Sequence, residues 1–446
     1  MLVIQSPGER PRSDPGGVQQ AARDRGPRGA DGGDPVLTPK ELIARAVALR
    51  PKLLEEQAAT EERTYYSEDL HREFLEAGFY RVYVPRRYGG LEFDVPTFAR
   101  LLIELARGCA NTAWCFGLAS AHALQVASWW DERAQAELFG EGDFRAASVA
   151  APIGPAARTE GGWELNGKVS YCSGIPYSTH YMGQALMPDS GPDAVPSLLL
   201  FVTPKSEWTM LDNWGHLLGM KGSGSQSIVF ERGRIPAHFA IENAFMVDFE
   251  VSEETPGLRL HGNPMYAGRA LACFTMTLAA ILVGAAYNAL DEYQLLLEKP
   301  TPIPPLVPRK LDLDYQRYFG RALAKISTAE AALMNCAEQH MELCRRFVDE
   351  GIPYTYGEDH RLGCIAREVM IQAWETVQSD LFRTAGSSAG AKGQRLERLY
   401  RDMSIGGNSH RNTLLRDWAF RESARAYLGL PRDFERPNVQ RPHGTT

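Results

Sequence analysis

Residues 144–187, FRAASVAAPIGPAARTEGGWELNGKVSYCSGIPYSTHYMGQALM, mark the point at which the chain changes its period. ASVAAP, WELNGKVSY and YMGQALM are short β-rich runs split by Gly, Pro and Asn, and SLLLFV (197–202) and SQSIVFERGRIP (225–236) continue them. Runs of this length bounded by turn residues predict a small β-sandwich or barrel over 144–250. On both sides the apolar spacing is helical. Upstream, LTPKELIARAVALRPKLLEEQAATEE (37–62) repeats at three and four residues, and Thr38 before Pro39 and Glu41 makes a start signal. Helices are also predicted from Ser67 to near Gly78, over 95–108 and over 111–130, giving an N-terminal helical domain at 37–143. Downstream, Leu323, Ile326, Leu333, Ala337 and Cys344 mark one face of a long helix, and another runs from 361 to 384 and stops at Gly386. KPTPIPPLVPRK (299–310) reads as a connector inside a C-terminal helical domain at 251–446. Residues 1–36, rich in Gly, Pro, Arg and Asp with no apolar core, read as a disordered tail. The chain is therefore mainly α with an inserted β domain, an order that leaves clefts at the seams, where ligands tend to bind.

Composition removes several function classes. A net charge of −7 argues against a broad phosphate-binding surface and hence against nucleic acid. No long charge-free apolar run predicts a membrane span; Leu271 to Tyr287 comes closest and reads as a buried helix. The seven cysteines are dispersed, without CxxC pairs or zinc-like Cys/His spacing, as expected of reduced thiols in the cytoplasm. No GxGxxG follows a predicted strand, so no nicotinamide site is expected.

Three stretches resemble the acyl-CoA dehydrogenases: LEAGFYRVYVPRRYGG (75–90), GMKGSGSQSIVFERGRIP (219–236), and RTAGSSAG (383–390) followed by LERLYRD (396–402). Within that superfamily, four more resemble the oxygenase components of two-component flavin monooxygenases, of the p-hydroxyphenylacetate hydroxylase and secosteroid phenol hydroxylase type. They are CANTAW (109–114) leading into LASAH (118–122), ASVAAPIG (147–154), YCSG (171–174) and RDMSIGGNSHRN (401–412). The implied fold is an N-terminal helical domain, a middle β domain and a C-terminal four-helix bundle, assembled as a homotetramer. The implied activity is hydroxylation of a phenolic or fused aromatic small molecule through a flavin C4a-hydroperoxide. Its cofactor would be reduced FAD or FMN supplied by a separate NAD(P)H-dependent flavin reductase, with O2 as co-substrate.

The resemblance also assigns residues. His122 matches a substrate-pocket histidine and Ser173 a serine near flavin N5. His410 matches a second active-site histidine, which in the relatives follows the Arg–Asp pair one residue earlier. Trp114, Ser148, Ser173, Gly222, Ser223, Gly224, Ser225, Gly386 and Ser387 are the expected flavin contacts, the last two across a subunit boundary. The chemistry suits these types: an imidazole titrates near neutrality and can take a phenol proton, and small residues let main-chain amides approach anionic oxygens. Trp114, Phe116, Trp129 and Tyr177 are candidate apolar walls that keep water out. Structural readings stand beside these: His122 as a core histidine, Ser173 as a turn cap, His410 as a solvated loop residue, and Gly222–Ser225 as a hairpin tip. Two other activities fit the same fold, oxygenation of nitrogen or sulfur, and an FAD acyl-CoA dehydrogenase with a displaced base. Against the latter, GGNSHRNTLL (406–415) has no carboxylate where straight-chain dehydrogenases place their base. A degenerate scaffold without activity is the non-enzymatic alternative.

Overall fold

The computed structural model describes residues 37–432, except 141, 189–196, 252, 302, 303, 305, 408 and 409, and the main chain alone over 410–417. The expected tail at 1–36 lies outside the described residues.

The described residues begin with six α-helices, α1 (Pro39–Arg63), α2 (Glu68–Glu76), α3 (Val95–Gly108), α4 (Ala110–Ser120), α5 (Ala123–Trp129) and α6 (Glu132–Phe139). Their starts are chemically specified. Thr38 and Glu41 form a capping box on α1, Ser67 caps α2 and Asp94 caps α3, each satisfying amides that have no partner within the helix. The single helix expected over 111–130 is in fact two. It breaks at Ala121–His122, and His122 becomes the residue that opens α5.

Among the described residues, seven strands follow: β1 (Ala146–Thr159), β2 (Gly162–Val169), β3 (His180–Leu186), β4 (Leu198–Pro204), β5 (Thr209–Leu211), β6 (Ser227–Pro236) and β7 (Ala240–Glu242). The expected β domain takes the form of one sheet in the order β5-β6-β2-β1-β3-β4-β7. β1 is its pivot. Its first residues pair parallel with β3 (Ala146 with His180), and its last pair antiparallel with β2 (Ala156 with Leu165). The register shifts between Ser148 and Pro155. Pro152 and Pro155 have no amide to give the ladder, which is why the irregularity falls there.

The rest is helical: α7 (Pro256–His261), α8 (Leu271–Leu297), α9 (Leu313–Glu350), α10 (Tyr356–Thr376), α11 (Arg383–Ala385), α12 (Arg395–Gly407) and α13 (His410–Tyr427). α8 is the core of this lobe, packed against α3, α9, α10 and α12. It is long and apolar enough to cross a bilayer, but 94% of its apolar window is buried inside the molecule. Each large apolar side chain so buried contributes about 1.5–3 kcal/mol. No side chain of Ala270 caps α8; instead Asp359, reaching over from α10, accepts from the amides of Ala272 (2.9 Å) and Leu271 (3.3 Å). Burial raises the Asp359 carboxyl to about 6 despite the nearby Arg269 guanidinium. On α9, Ile326, Leu333, Ala337 and Cys344 are fully buried as expected, whereas Leu323 is 43% exposed and is not part of that face.

Candidate active site

The site forms where α4, the start of β1, the turn after β2, the loop before β6 and α12 meet. Its first component is the turn Tyr171–Gly174. Tyr171 has φ +65° and Gly174 φ +86°. A Cβ on Gly174 would lie 2.5 Å from the Cys115 carbonyl oxygen, so only glycine lets this turn press against α4. That contact sets the Ser173 hydroxyl, buried, within 3.1 Å of the Trp114 indole Nε1.

A chain of hydroxyls continues from Ser173. Its Oγ lies 2.7 Å from Ser225 Oγ, Ser225 Oγ lies 2.7 Å from Ser223 Oγ, and Ser223 Oγ lies 2.7 Å from the Met220 carbonyl oxygen. The ends fix the direction, since an indole N–H can only donate and a carbonyl can only accept. Ser223 therefore donates to Met220, Ser225 to Ser223, and Ser173 to Ser225, while Ser173 accepts from Trp114. Every hydroxyl proton is committed. Ser173 retains one lone pair and no proton to offer.

The loop 219–225 is held from both helical lobes. Asp402 on α12 accepts from the Met220 amide (2.6 Å) and from Asn111 Nδ2 of α4 (2.6 Å), and Asn111 Oδ1 accepts from the Gly222 amide (2.9 Å). The Gly224 amide donates to the Thr64 carbonyl (2.8 Å), and the Ser223 amide to Met220 (3.2 Å). Met220 has φ +54°, a region costly for a side-chain-bearing residue, and both its main-chain polar groups are bonded there. A Cβ on Gly219 would sit 2.1 Å from the Arg401 carbonyl oxygen. These bonds correct one expectation. The amides of Gly222, Ser223 and Gly224 are used inside the protein and are not a preformed cradle for anionic oxygens. Of the three partners, Asn111 and Thr64 lie far away in the chain and leave no signal beside the motif.

Electrostatics follow from burial. Asp402 is pushed up to about 7, chiefly by desolvation and also by the nearby Glu61 carboxylate, while the Met220 amide, Arg401 and Asn111 pull it down. Burial would also raise Glu61, but hydrogen bonds from Arg401 and Arg398 hold it below the usual range.

His122 forms the other side of the site. Its ring is buried, lies 5.6 Å from the Phe274 ring, and its Nδ1 is 2.7 Å from the Ala146 carbonyl oxygen. A carbonyl demands that Nδ1 carry the proton, so in the neutral ring Nε2 holds the lone pair. The next residue of β1 ties this side to the serine turn: the Ala147 amide donates to Ser178 Oγ (3.0 Å), which donates to the Gly174 carbonyl (2.9 Å). Further along β1, Ser148 Oγ donates to Met246 Sδ (3.1 Å). Gly406 of α12 closes the site; a Cβ there would approach Leu282, Met220 and Trp114 at 3.1, 3.4 and 3.7 Å.

The structure thus gathers Trp114, Ser173, Ser223 and Ser225 in one network, links His122 to it through β1, and adds Asn111, Met220 and Asp402, to which the sequence reading gave no role. Asn111 and Asp402 stood inside motifs already singled out, but a bond between residues so distant leaves no local signal. Other expectations are not gathered here. Phe116 packs with Phe74, Phe79, Tyr80 and Phe98 in the core of the N-terminal lobe. Tyr177 stacks on His71 at 4.1 Å and donates to the Tyr66 carbonyl, and Trp129 stacks on Phe249 at 4.2 Å. Gly386 and Ser387 are exposed at the end of α11. His410 opens α13, and its side chain lies outside the described residues.

Comparison with known proteins bears on this geometry. Residues 43–138 match the family model for the acyl-CoA dehydrogenase N-terminal domain, and residues 276–413 that for an acyl-CoA dehydrogenase C-terminal domain, together more than half of the chain. The chain is 26% identical over 371 residues to the flavin-dependent monooxygenase oxygenase subunit HsaA of Rhodococcus jostii, covering 82% of this chain and 92% of that protein. It is 23% identical over 397 residues to the oxygenase component of p-hydroxyphenylacetate 3-hydroxylase of Acinetobacter baumannii, covering 84% and 86%. Among solved structures, XiaF from a Streptomyces species, in complex with FADH2 and glycerol, superposes with a TM-score of 0.79 over 89% of this chain and 97% of that one, at 21% identity.

Proposed function

Because the chain belongs to the acyl-CoA dehydrogenase superfamily, in its flavin-dependent monooxygenase branch, we infer that it is the oxygenase component of a two-component system that hydroxylates a phenolic or fused aromatic small molecule. The observation that carries this reading is the pairing of a buried, acceptor-only serine, Ser173, with a buried histidine, His122, whose lone pair is on Nε2. Reduced flavin, when bound, supplies the activation of O2. The site fits it: the N5–H of the reduced ring is a donor, and Ser173 has only a lone pair to offer. Trp114 holds Ser173 in place, and Gly406 lets α12 pack closely on Leu282, Met220 and Trp114, where even a Cβ would stand 3.1 Å from Leu282. His122 Nε2 accepts the phenol proton as the ring becomes the nucleophile, and positioned bases of this kind contribute about 10²–10⁴-fold. Burial of Phe274, Leu282 and Trp114 keeps the site dry, which protects against unproductive loss of peroxide.

The reductant comes from a separate NAD(P)H-dependent flavin reductase. Assembly as a homotetramer in the cytoplasm, with Gly386 and Ser387 of a neighbouring subunit against the flavin, completes the reading; Ser148 and the main chain of β1 line the flavin on the other side. His410 at the start of α13 is the second active-site histidine of this reading.

The experiment supplies the protein with FMN or FAD, NADH, a flavin reductase and 18O2 in the presence of a panel of phenols. One labelled oxygen in the product, only when reductase is present, is the expected result. Labelled oxygen appearing on a nitrogen or sulfur instead, or reduction of bound oxidised flavin by an acyl thioester, would replace this reading with one of its rivals.

A further inference from the structure

The direction of the serine chain has a chemical consequence for which oxidation state of flavin the site prefers. Ser173 gives its proton to Ser225, which gives its own to Ser223, which gives its own to the Met220 carbonyl, over three contacts of 2.7 Å each. Trp114 Nε1 occupies one Ser173 lone pair at 3.1 Å. All four groups are buried, so no solvent competes to reverse the chain. The terminal acceptor is itself fixed, because Asp402 holds Met220 through its amide and Asn111 holds Gly222 beside it. A ligand atom facing Ser173 therefore meets an acceptor and never a donor. The reduced isoalloxazine carries N5–H, a donor; the oxidised ring carries a bare N5, an acceptor whose lone pair would oppose that of Ser173.

We propose that Ser225 and Ser223 are positioning residues that hold Ser173 as an acceptor only, and thereby select reduced over oxidised flavin. The proposal rests on the reading above, in which Ser173 faces flavin N5. Selection of this kind suits an enzyme that takes its cofactor already reduced: oxidised flavin left after each turnover is released, and the site is open to the next reduced molecule. Neither serine needs to touch the flavin for this. Each acts through Ser173, Ser225 directly and Ser223 at one remove.

Removing Ser225 Oγ frees the Ser173 proton, which can then turn toward an oxidised N5. Removing Ser223 Oγ frees the Ser225 proton to turn back toward Ser173, with the same result. A lost or gained hydrogen bond of this type changes an affinity by about tenfold. The test is the ratio of the dissociation constants of oxidised and reduced flavin, measured with FMN and FAD in parallel on the full-length protein, the reduced forms under anaerobic conditions. Wild type should favour the reduced form. Ser225→Ala and Ser223→Ala should narrow the ratio by about tenfold, mainly by tighter binding of oxidised flavin, and Ser225→Thr, which keeps the hydroxyl, should restore it. A merely structural role would weaken both forms together and leave the ratio unchanged in both alanine variants; that outcome overturns the proposal. Wild-type protein that binds oxidised flavin as well as reduced would instead remove the reading on which it stands.

Discussion

At the scale of single residues, the account turns on His122, Ser173 and Asp402. The bond from Nδ1–H to the Ala146 carbonyl helps orient His122, and its Nε2 is assigned the phenol proton. His122→Ala should lower the rate of phenol hydroxylation by about 10²-fold or more, while flavin is still reoxidised and hydrogen peroxide replaces product. The yield of product per NADH consumed measures this. An unchanged yield would point to a substrate that is already nucleophilic, such as an amine or thioether. Asp402 makes a prediction about stability. Its carboxyl titrates near 7 in the fold against about 4 in the unfolded chain, so the folded state holds the proton more tightly. Stability from this group is present below about pH 4 and is lost as pH rises through about 7. Wild-type melting temperature should accordingly fall between about pH 4 and pH 7, and Asp402→Asn, less stable overall because its amide nitrogen would oppose Asn111 Nδ2, should show a flatter profile. Equal slopes for the two proteins would mean that Asp402 is ionised throughout.

At the scale of elements, the loop 219–225 is the piece on which the lobes converge, and its fit against α12 is tight. Gly219→Ala would bring a Cβ into the Arg401 main chain at 2.1 Å, so loop and helix must separate. The expected cost is roughly 1–3 kcal/mol, read as a lower midpoint in denaturant unfolding, with weaker binding of reduced flavin beside it. A variant with wild-type midpoint and affinity would show that this contact does not position the site. The elements also show what the sequence made legible. Thr38 and Glu41 announced α1 because a capping box is a local pattern. The break at Ala121–His122 was not legible, since no Gly or Pro stands there. The same break moves His122 from the middle of a helix to its end, where its ring reaches β1. Leu323 kept the apolar period of α9 and yet is exposed, because periodicity says which residues share a face and not how far along the helix that face is covered.

At the scale of the whole molecule, the order of helical, β and helical segments is legible because each lobe has its own period. The site itself was only partly readable. Trp114, Ser173 and Ser225 were named individually, but the direction of their hydroxyl chain depends on the Met220 carbonyl and on the Asp402–Asn111 clasp, and contacts between residues so far apart in sequence have no local signature. The proposed division of labour is also a property of the whole chain: if its electrons come from a separate reductase, NADH without that reductase should produce no hydroxylation. The most direct test of the central claim is rapid mixing of the protein, loaded anaerobically with reduced FMN or FAD, with oxygenated buffer, followed by absorbance. The account predicts a flavin–oxygen adduct that persists until a phenolic substrate is added and then decays with hydroxylated product. Immediate reoxidation to free oxidised flavin, by protein shown to have bound the reduced form, would contradict it.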